Sequence, residues 1–139
     1  MNVVTMEPSP EKPIPYQFTP EGRQILQGAQ SLRHRLAAFA RAERDGVTSL
    51  DSATPGMAGM VSAMRKSGFD ILPVDDLLHE FETISDRGCR AFELHFFVGL
   101  PPERIAPLMQ IPERVASRDV AIAKAWLLER LKQLTSAQP

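Results

Sequence analysis

The sequence predicts an all-α fold, a small helical bundle, and two observations support this. Apolar residues recur at steps of three and four along most of the chain, which is the spacing of one face of an α-helix. No segment between turn residues shows the strict alternation of a half-buried strand. Prolines and glycines divide the periodic segments, so we expect several helices rather than one long helix.

Composition limits the function classes. The chain has 139 residues, 43% of them hydrophobic, which suffices for one folded domain. It has neither an apolar run that could cross a bilayer nor a secretory signal, and a single cysteine excludes an internal disulfide, so we expect a cytoplasmic protein with no membrane partner. We expect no metal or cofactor and no enzyme, because the three histidines are far apart and no phosphate-binding loop or nucleophile elbow occurs.

The N-terminal segments show clear helix boundaries. Residues 1–18 contain four prolines among polar residues, which predicts a flexible tail. Thr19 followed by Pro20 is typical of a helix start, and Gly46 is a suitable end. We expect a second helix from about Pro55 to Lys66, ended by Gly68, and assign residues 19–68 to a unit of N-terminal helices.

The apolar stripe of the first helix has two interpretations. It consists of Ile25, Ala29, Leu32, Leu36 and Phe39. Packing against the rest of the chain is the commoner use of about five apolar positions, and we favour it. The same spacing also fits pairing with a second copy, which would give a homodimer through the 20–45 helix.

Two further helices follow in the sequence. Pro73 is expected to open the third helix, and Asp86 to cap the fourth, which Gly99 would end. Cys89 lies among apolar residues of the fourth helix and has no histidine nearby in sequence, so we expect a buried structural thiol.

The segment 101–134 is typical of a helix-turn-helix. A short helix with buried Ile105 and Met109 leads to the connector 110–112, and a longer helix begins at Glu113. The connector is too short for the two helices to lie antiparallel. A helix-turn-helix serves to place its second helix in the major groove of DNA.

Residue types on the second helix of this motif fit contact with double-stranded DNA. Arginine suits bidentate contact with guanine, and a hydroxyl suits phosphates or base edges. The candidate DNA-binding residues are Arg104, Glu113, Arg114, Ser117, Arg118, Ala121 and Lys124, with Arg104 and Lys124 on phosphates. An ordinary solvated polar face on a core helix is the alternative interpretation.

Charge is unevenly distributed along the chain, although the net charge is only −1. Seven acids lie between Asp70 and Glu93, and six bases lie between Pro101 and Leu134. The basic end coincides with the proposed DNA-binding helix. The acidic segment is expected to be solvated or to form an interaction surface.

Residues Val74–Leu134 resemble region 4 of the sigma-70 family, and most closely that of the extracytoplasmic-function group. The resemblance rests on the turn ELHFFVGL, the helix start ERIA and the tail RDVAIAKAWLLERL. It implies that residues 69–134 form a domain that reads the upstream promoter element with its second motif helix and docks on a flap of RNA polymerase. Residues 20–68 show no counterpart of the promoter-melting region 2, so we expect promoter binding without DNA melting.

Three residues depart from the family pattern. Pro107 lies within the first motif helix, Gln110 replaces the usual turn glycine, and Ser117 stands where a basic residue is common. These departures keep a second hypothesis open, in which the chain is a protein-interaction module that does not bind DNA. Such a sigma mimic or anti-sigma-like regulator would bind RNA polymerase or another regulator.

Overall fold

The computed structural model describes residues 15–46 and 56–136. Every regular element within these ranges is helical, which confirms the all-α prediction. The elements are α1 (Pro20–Arg44), α2 (Met57–Ser67), α3 (Ile71–Ile84), α4 (Asp86–Glu93) continued by a π-helical turn (Leu94–Val98), α5 (Pro102–Met109) and α6 (Glu113–Ser136). None of these helices combines the length and the hydropathy needed to span a membrane.

Most helix boundaries lie where the sequence predicts them. The Thr19 hydroxyl accepts a hydrogen bond from the Gly22 backbone N–H at 2.9 Å, and Pro20 is the first residue of α1. Gly68 and Gly99 adopt left-handed conformations after α2 and the π-helical turn, with φ of 90° and 85°. The expected start of the second helix near Pro55 lies outside the described residues.

Two predicted helix starts are wrong by one or two residues. Ser85, and not Asp86, caps α4, since its hydroxyl accepts a hydrogen bond from the Gly88 backbone N–H at 2.9 Å. The third helix begins at Ile71, two residues before Pro73. Pro73 fits there because the first turn of a helix does not need its backbone N–H.

Three clusters of buried apolar side chains hold the helices together. The first lies between α3, α4 and α6, the second between α4, α5 and α6, and the third between α1, α2 and the start of α3. Their largest fully buried members are Phe81, Phe92, Leu78 and Leu127 in the first, Leu94, Ile105 and Met109 in the second, and Leu36, Val61 and Ile71 in the third. Ile25 of α1 packs against the second cluster, so the segments 19–68 and 69–134 share core contacts.

The apolar stripe of α1 packs within its own chain. Ala29 and Leu36 are buried, and Ile25, Leu32 and Phe39 are half-buried. This is the packing interpretation that the sequence favours. A homodimer through this helix would have to use another face, so it stays a prediction without structural support.

The end of the predicted flexible tail is held in place. Residues 1–14 lie outside the described residues, but Tyr16 and Phe18 pack against the cluster of α5 and α6. The backbone N–H groups of Gln17 and Thr19 donate to the carbonyls of Met109 and Leu108 at 3.2 and 3.0 Å. These carbonyls end α5 and lack partners within the helix. The prediction of flexibility is therefore wrong for residues 16–18, because the two aromatic rings find apolar partners.

A buried charge network connects α1, α3 and α4. Arg33 is 3% exposed and Glu93 is 0% exposed. Arg33 Nε lies 2.6 Å from Asp75 Oδ1, and its Nη1 lies 2.7 Å from Glu93 Oε2. Burial acts to lower the pKa of Arg33, but its hydrogen bonds to Asp75 and Glu93 raise it above the ordinary value. Arg90 adds a second cation, with Nη1 at 3.3 Å from Glu93 Oε1.

Most acids of the segment 70–93 pair with arginines of the same chain. Six of its seven acids lie within salt-bridge distance of an arginine: Asp70, Asp75, Glu80, Glu82, Asp86 and Glu93. Tyr16 also donates a hydrogen bond to Asp86. The expectation of a solvated or partner-binding acidic surface is therefore wrong for Asp75 and Glu93, because Arg33, which is distant in sequence, folds onto both.

Candidate nucleic-acid interface

A left-handed residue joins the two helices of the motif. Gln110 follows α5 with φ of 54°, and no other non-glycine residue in the described ranges has a positive φ. Glycine adopts this conformation without strain, which is why glycine is common directly after the end of a helix. The Gln110 side chain donates to the carbonyl of Gln17 at 2.7 Å, a contact that glycine could not make. Gln110, which stands where the family usually has glycine, therefore links the turn to the N-terminal segment.

The proline within the first motif helix leaves the two-helix unit intact. The helix is continuous from Pro102 to Met109, with exposed Pro107 inside it. Ile105 and Met109 are fully buried and share a cluster with Val115 of α6. Apolar packing between α5 and α6 thus holds the unit together where one backbone hydrogen bond is missing.

The inner face of α6 is made of small and branched apolar residues. The sequence predicts that five residues anchor the side of this helix that faces away from DNA: Val115, Val120, Ile122, Trp126 and Leu127. Val115, Val120 and Leu127 are buried as expected, and Trp126 is half-buried. Ile122 was expected among them but is 51% exposed, so that prediction is wrong. Ala116 and Ala123 occupy the inner face instead, because the close approach of α4 favours small side chains there.

All seven candidate DNA-binding residues are exposed. Arg114, Ser117, Arg118 and Ala121 lie within an arc of about 100° on α6, opposite its buried face. Glu113 and Lys124 lie at the edge of this arc, and Arg104 lies on α5. We call the exposed α6 residues 113–124 the outer face of α6.

The cations of this region form no salt bridge with acids in residues 15–46 and 56–136. The salt bridges among the described residues include Arg33, Arg87, Arg90 and Arg130 but none of the four candidate cations, which are Arg104, Arg114, Arg118 and Lys124. An exposed cation without an acid partner is available to a phosphate or a base edge. The outer face of α6 is therefore suited chemically to a polyanion.

An ion pair that the sequence did not reveal fixes α6 against α4. Arg87 donates to Asp119 from Nε at 2.6 Å and from Nη2 at 3.0 Å. Asp119 is only 5% exposed, and its hydrogen bonds raise the pKa of Arg87 above the ordinary value. The alternative interpretation of this helix as an ordinary solvated face takes Asp119 as a surface charge, and for Asp119 that is wrong. Its position between buried Val115 and Ala123, four residues from each, was the signal, since an acid on a core-facing stripe requires a partner.

A second ion pair lies further along α6. Arg130 donates to both carboxylate oxygens of Glu80 in α3, at 2.9 and 3.1 Å. Its guanidinium also lies 4.9 Å from the ring centroid of Trp126. Together with the pair at Asp119, this contact sets how α6 is rotated about its axis.

The segment that contains α5 and most of α6 matches a known sequence family. The sequence model of the ECF sigma factor family matches residues 29–133, which is more than half of the chain and includes α5 and all but the last three residues of α6. No curated protein and no solved structure gives a significant match.

Proposed function

The chain belongs to the ECF sigma factor family, and from that premise we propose that it is a transcription regulator that binds double-stranded DNA through α5 and α6. One observation carries the proposal. Every candidate residue is exposed, and the cations among them have no acid partner among the described residues. Arg33, which is buried, and Arg87, which is half-buried, are paired with acids, so the exposed cations of α5 and α6 differ from them.

Each residue of the interface has a role in this proposal. Arg114 and Arg118 contact guanine edges in the major groove, and Ser117 contacts a base edge or a phosphate. Glu113 can accept from cytosine, and the Ala121 methyl can contact thymine. The remaining cations, Arg104 and Lys124, contact phosphates on either side of the groove.

Family membership also supports RNA polymerase as a protein partner. We infer that the chain docks on the polymerase flap and works in the cytoplasm, without melting DNA itself. A pull-down with purified bacterial RNA polymerase core enzyme tests this, with and without nuclease. Retention that survives nuclease treatment supports a direct contact, whereas retention lost on nuclease treatment means that DNA alone bridges the two.

The second candidate, an interaction module that does not bind DNA, is favoured by the net charge of −1. The acidic segment was its expected contact surface, but six of its seven acids are within salt-bridge distance of arginines of the same chain. This makes it the weaker proposal. DNA binding by the isolated chain separates the two.

The deciding experiment measures binding to a random-sequence duplex of about 30 bp by fluorescence anisotropy, from 50 to 300 mM salt. On a random duplex all four cations can contact phosphates, and four phosphate contacts predict a slope of about −3 to −4 in log K against log salt. The Arg114→Ala/Arg118→Ala variant should bind more weakly. The matched control is Arg44→Ala/Arg65→Ala, which removes two exposed arginines that are paired with acids. No binding of the wild type at 50 mM salt would overturn the proposal and favour the interaction module.

A further inference from the structure

The two most exposed large apolar side chains in the described part of the chain lie close together. Ile84 of α3 is 60% exposed, and Ile122 of α6 is 51% exposed. The ring centroids of Phe81 and Trp126 lie 5.1 Å apart. Ile84 lies one turn after the first of these residues, and Ile122 lies one turn before the second. On the other side of both isoleucines, the start of α4 is bound to α6 through Asp119. Contacts on both sides therefore bring the two isoleucines into one apolar patch.

Ile122 belongs to an exposed line along α6. The line consists of Arg118, Ile122, Ala125 and Glu129, which lie within an arc of about 60° around the helix axis, at 100° per residue. All four residues are exposed. Steps of four, three and four residues are the spacing of a seam between two paired helices. The seam of α6, as we call these four residues, thus has two apolar positions between a cation and an acid.

The two charges of the seam are complementary but lie too far apart to meet. Neither Arg118 nor Glu129 takes part in a salt bridge among residues 15–46 and 56–136. They are 11 residues apart, roughly 16 Å along the helix axis, so they cannot pair with each other within one molecule. A second seam turned end to end presents an acid to the arginine and a cation to the glutamate.

We propose that the seam of α6 binds the same seam of a second copy of this chain, with the two helices antiparallel. In a dimer with two-fold symmetry, facing residues lie at equal distances from the axis. An axis halfway between Ile122 and Ala125 places these two positions opposite each other and places Arg118 opposite Glu129 of the partner subunit. Symmetry repeats both contacts, and the neighbouring Ile84 adds apolar area. The charges favour a second copy over an unrelated partner, which would need the same two charges in the reverse order.

This pairing hides Arg118 from DNA, a consequence that rests on the proposed function. Arg114 lies only about 40° from Arg118 around the helix axis, so a helix packed on the seam also crowds it. The major groove is about 12 Å wide and a helix with its side chains is about 10–12 Å wide, so two paired helices do not enter it together. Self-association and DNA reading by α6 therefore exclude each other, and protein concentration regulates the DNA-binding site.

The contact is small, because it consists of one pair of helices and their immediate neighbours. Interfaces below about 1,200 Å² belong to weak and transient complexes, so we expect a dissociation constant of roughly 10–500 µM. DNA titrations with less than about 1 µM protein therefore measure the monomer.

Sedimentation velocity of the full chain from about 5 to 500 µM tests the pairing. Arg118→Glu and Glu129→Arg should each raise the dimer dissociation constant at least about 10-fold, because like charges then face each other twice. Arg118→Glu/Glu129→Arg should return it to within about 3-fold of the wild-type value, because the pair is restored with its charges exchanged. Far-UV circular dichroism and a urea midpoint check that every variant is folded.

A second pair of variants tests the apolar centre of the contact. Ile122→Ala removes apolar area from both subunits and should weaken the dimer roughly 10-fold. The matched control is Leu134→Ala, which removes another side chain of α6 that is 50% exposed. Because Leu134 lies about 150° around the helix from the seam, its removal should leave the dimer unchanged.

Competition with DNA is tested with a locked dimer. An equimolar mixture of the Ile122→Cys and Ala125→Cys variants, oxidised with diamide, should give a mixed covalent dimer faster than either variant alone, because these positions face each other across the axis. The purified mixed dimer is titrated with a duplex selected from a random pool by the wild-type protein. It should bind this duplex at least about 30-fold more weakly than the same sample after reduction, since two base contacts are lost.

The outcomes separate this inference from the proposed function. Wild-type protein that stays monomeric at the highest concentration, or an exchanged double variant as weak as the single ones, would overturn the pairing and leave the proposed function standing. Failure of the mixed disulfide to form, or a locked dimer that binds DNA as tightly as its reduced form, would overturn the inference as well. Wild-type protein that dimerises but does not bind DNA at low salt would overturn the proposed function and leave the pairing of α6 standing.

Discussion

Arg87 of α4 holds Asp119 of α6 through two hydrogen bonds of 2.6 and 3.0 Å, and Asp119 directly precedes buried Val120 and follows exposed Arg118. Neighbouring residues of a helix point about 100° apart. Fixing Asp119 toward α4 therefore fixes Arg118 toward solvent. Both side chains of this pair are mostly buried, so salt screens the attraction between their charges only weakly.

Removing this ion pair should destabilise the protein. Asp119→Ala eliminates both hydrogen bonds at a buried position, and breaking a buried pair in this way costs roughly 3 kcal/mol of unfolding free energy. Urea denaturation followed by circular dichroism measures the change. Glu80→Ala is the matched control, because it breaks the half-exposed pair with Arg130 and should cost less than about 1 kcal/mol. Equal losses in the two variants would contradict the structural role given to Asp119.

Replacing Arg118 should reduce discrimination between DNA sequences. Arg118→Ala removes a proposed bidentate contact with a base, so binding to a selected duplex should weaken by ~1–3 kcal/mol, with a smaller loss on random duplex. Lys124→Ala removes a proposed phosphate contact and should weaken both duplexes equally. Anisotropy titrations at one salt concentration measure both variants. Unchanged affinity of Arg118→Ala for the selected duplex would remove this residue from the interface.

The helices and their ends could be predicted because they depend on local chemistry. The cap at Thr19 and the stops at Gly68 and Gly99 involve contacts within a few residues, and the core stripes follow from helical spacing. The exposure of the candidate residues also followed from spacing, since polar positions opposite a core stripe face solvent.

The ion pairs could not be predicted because their partners are distant in the sequence. Arg33 lies 60 residues from Glu93, and Arg87 lies 32 residues from Asp119. Helical periodicity shows which face a residue occupies but does not identify the helix that packs there. The docking of Tyr16 was missed for a related reason. The density of prolines indicated correctly that the backbone of this segment is irregular. It did not show that the half-buried ring of Tyr16 would hold this backbone against the rest of the protein.

The thiol of Cys89 should make stability depend on alkaline pH. Cys89 is fully buried, and burial raises the pKa of its thiol to about 11. The neutral thiol is thus favoured in the folded state, so this contribution is complete below about pH 9 and is lost as the pH rises toward about 11. The unfolding free energy of the wild type relative to Cys89→Ala should fall by up to about 1.4 kcal/mol per pH unit in this window. Urea denaturation at pH 7, 8, 9 and 10 measures the difference, and a difference that stays constant to pH 10 would contradict the prediction.

Two glycines of α1 should respond oppositely to the same substitution. A Cβ on Gly22 would lie 2.7 Å from the Leu108 carbonyl oxygen, so Gly22→Ala must push α1 away from α5 and should cost about 1–3 kcal/mol. A Cβ on Gly28 meets nothing within 4 Å, and alanine there should stabilise the helix by about 0.5–1 kcal/mol. Urea midpoints of the two variants give the comparison. Because backbone at Leu108 cannot retreat as a flexible side chain could, stabilisation by Gly22→Ala would show that α1 does not begin against the first motif helix.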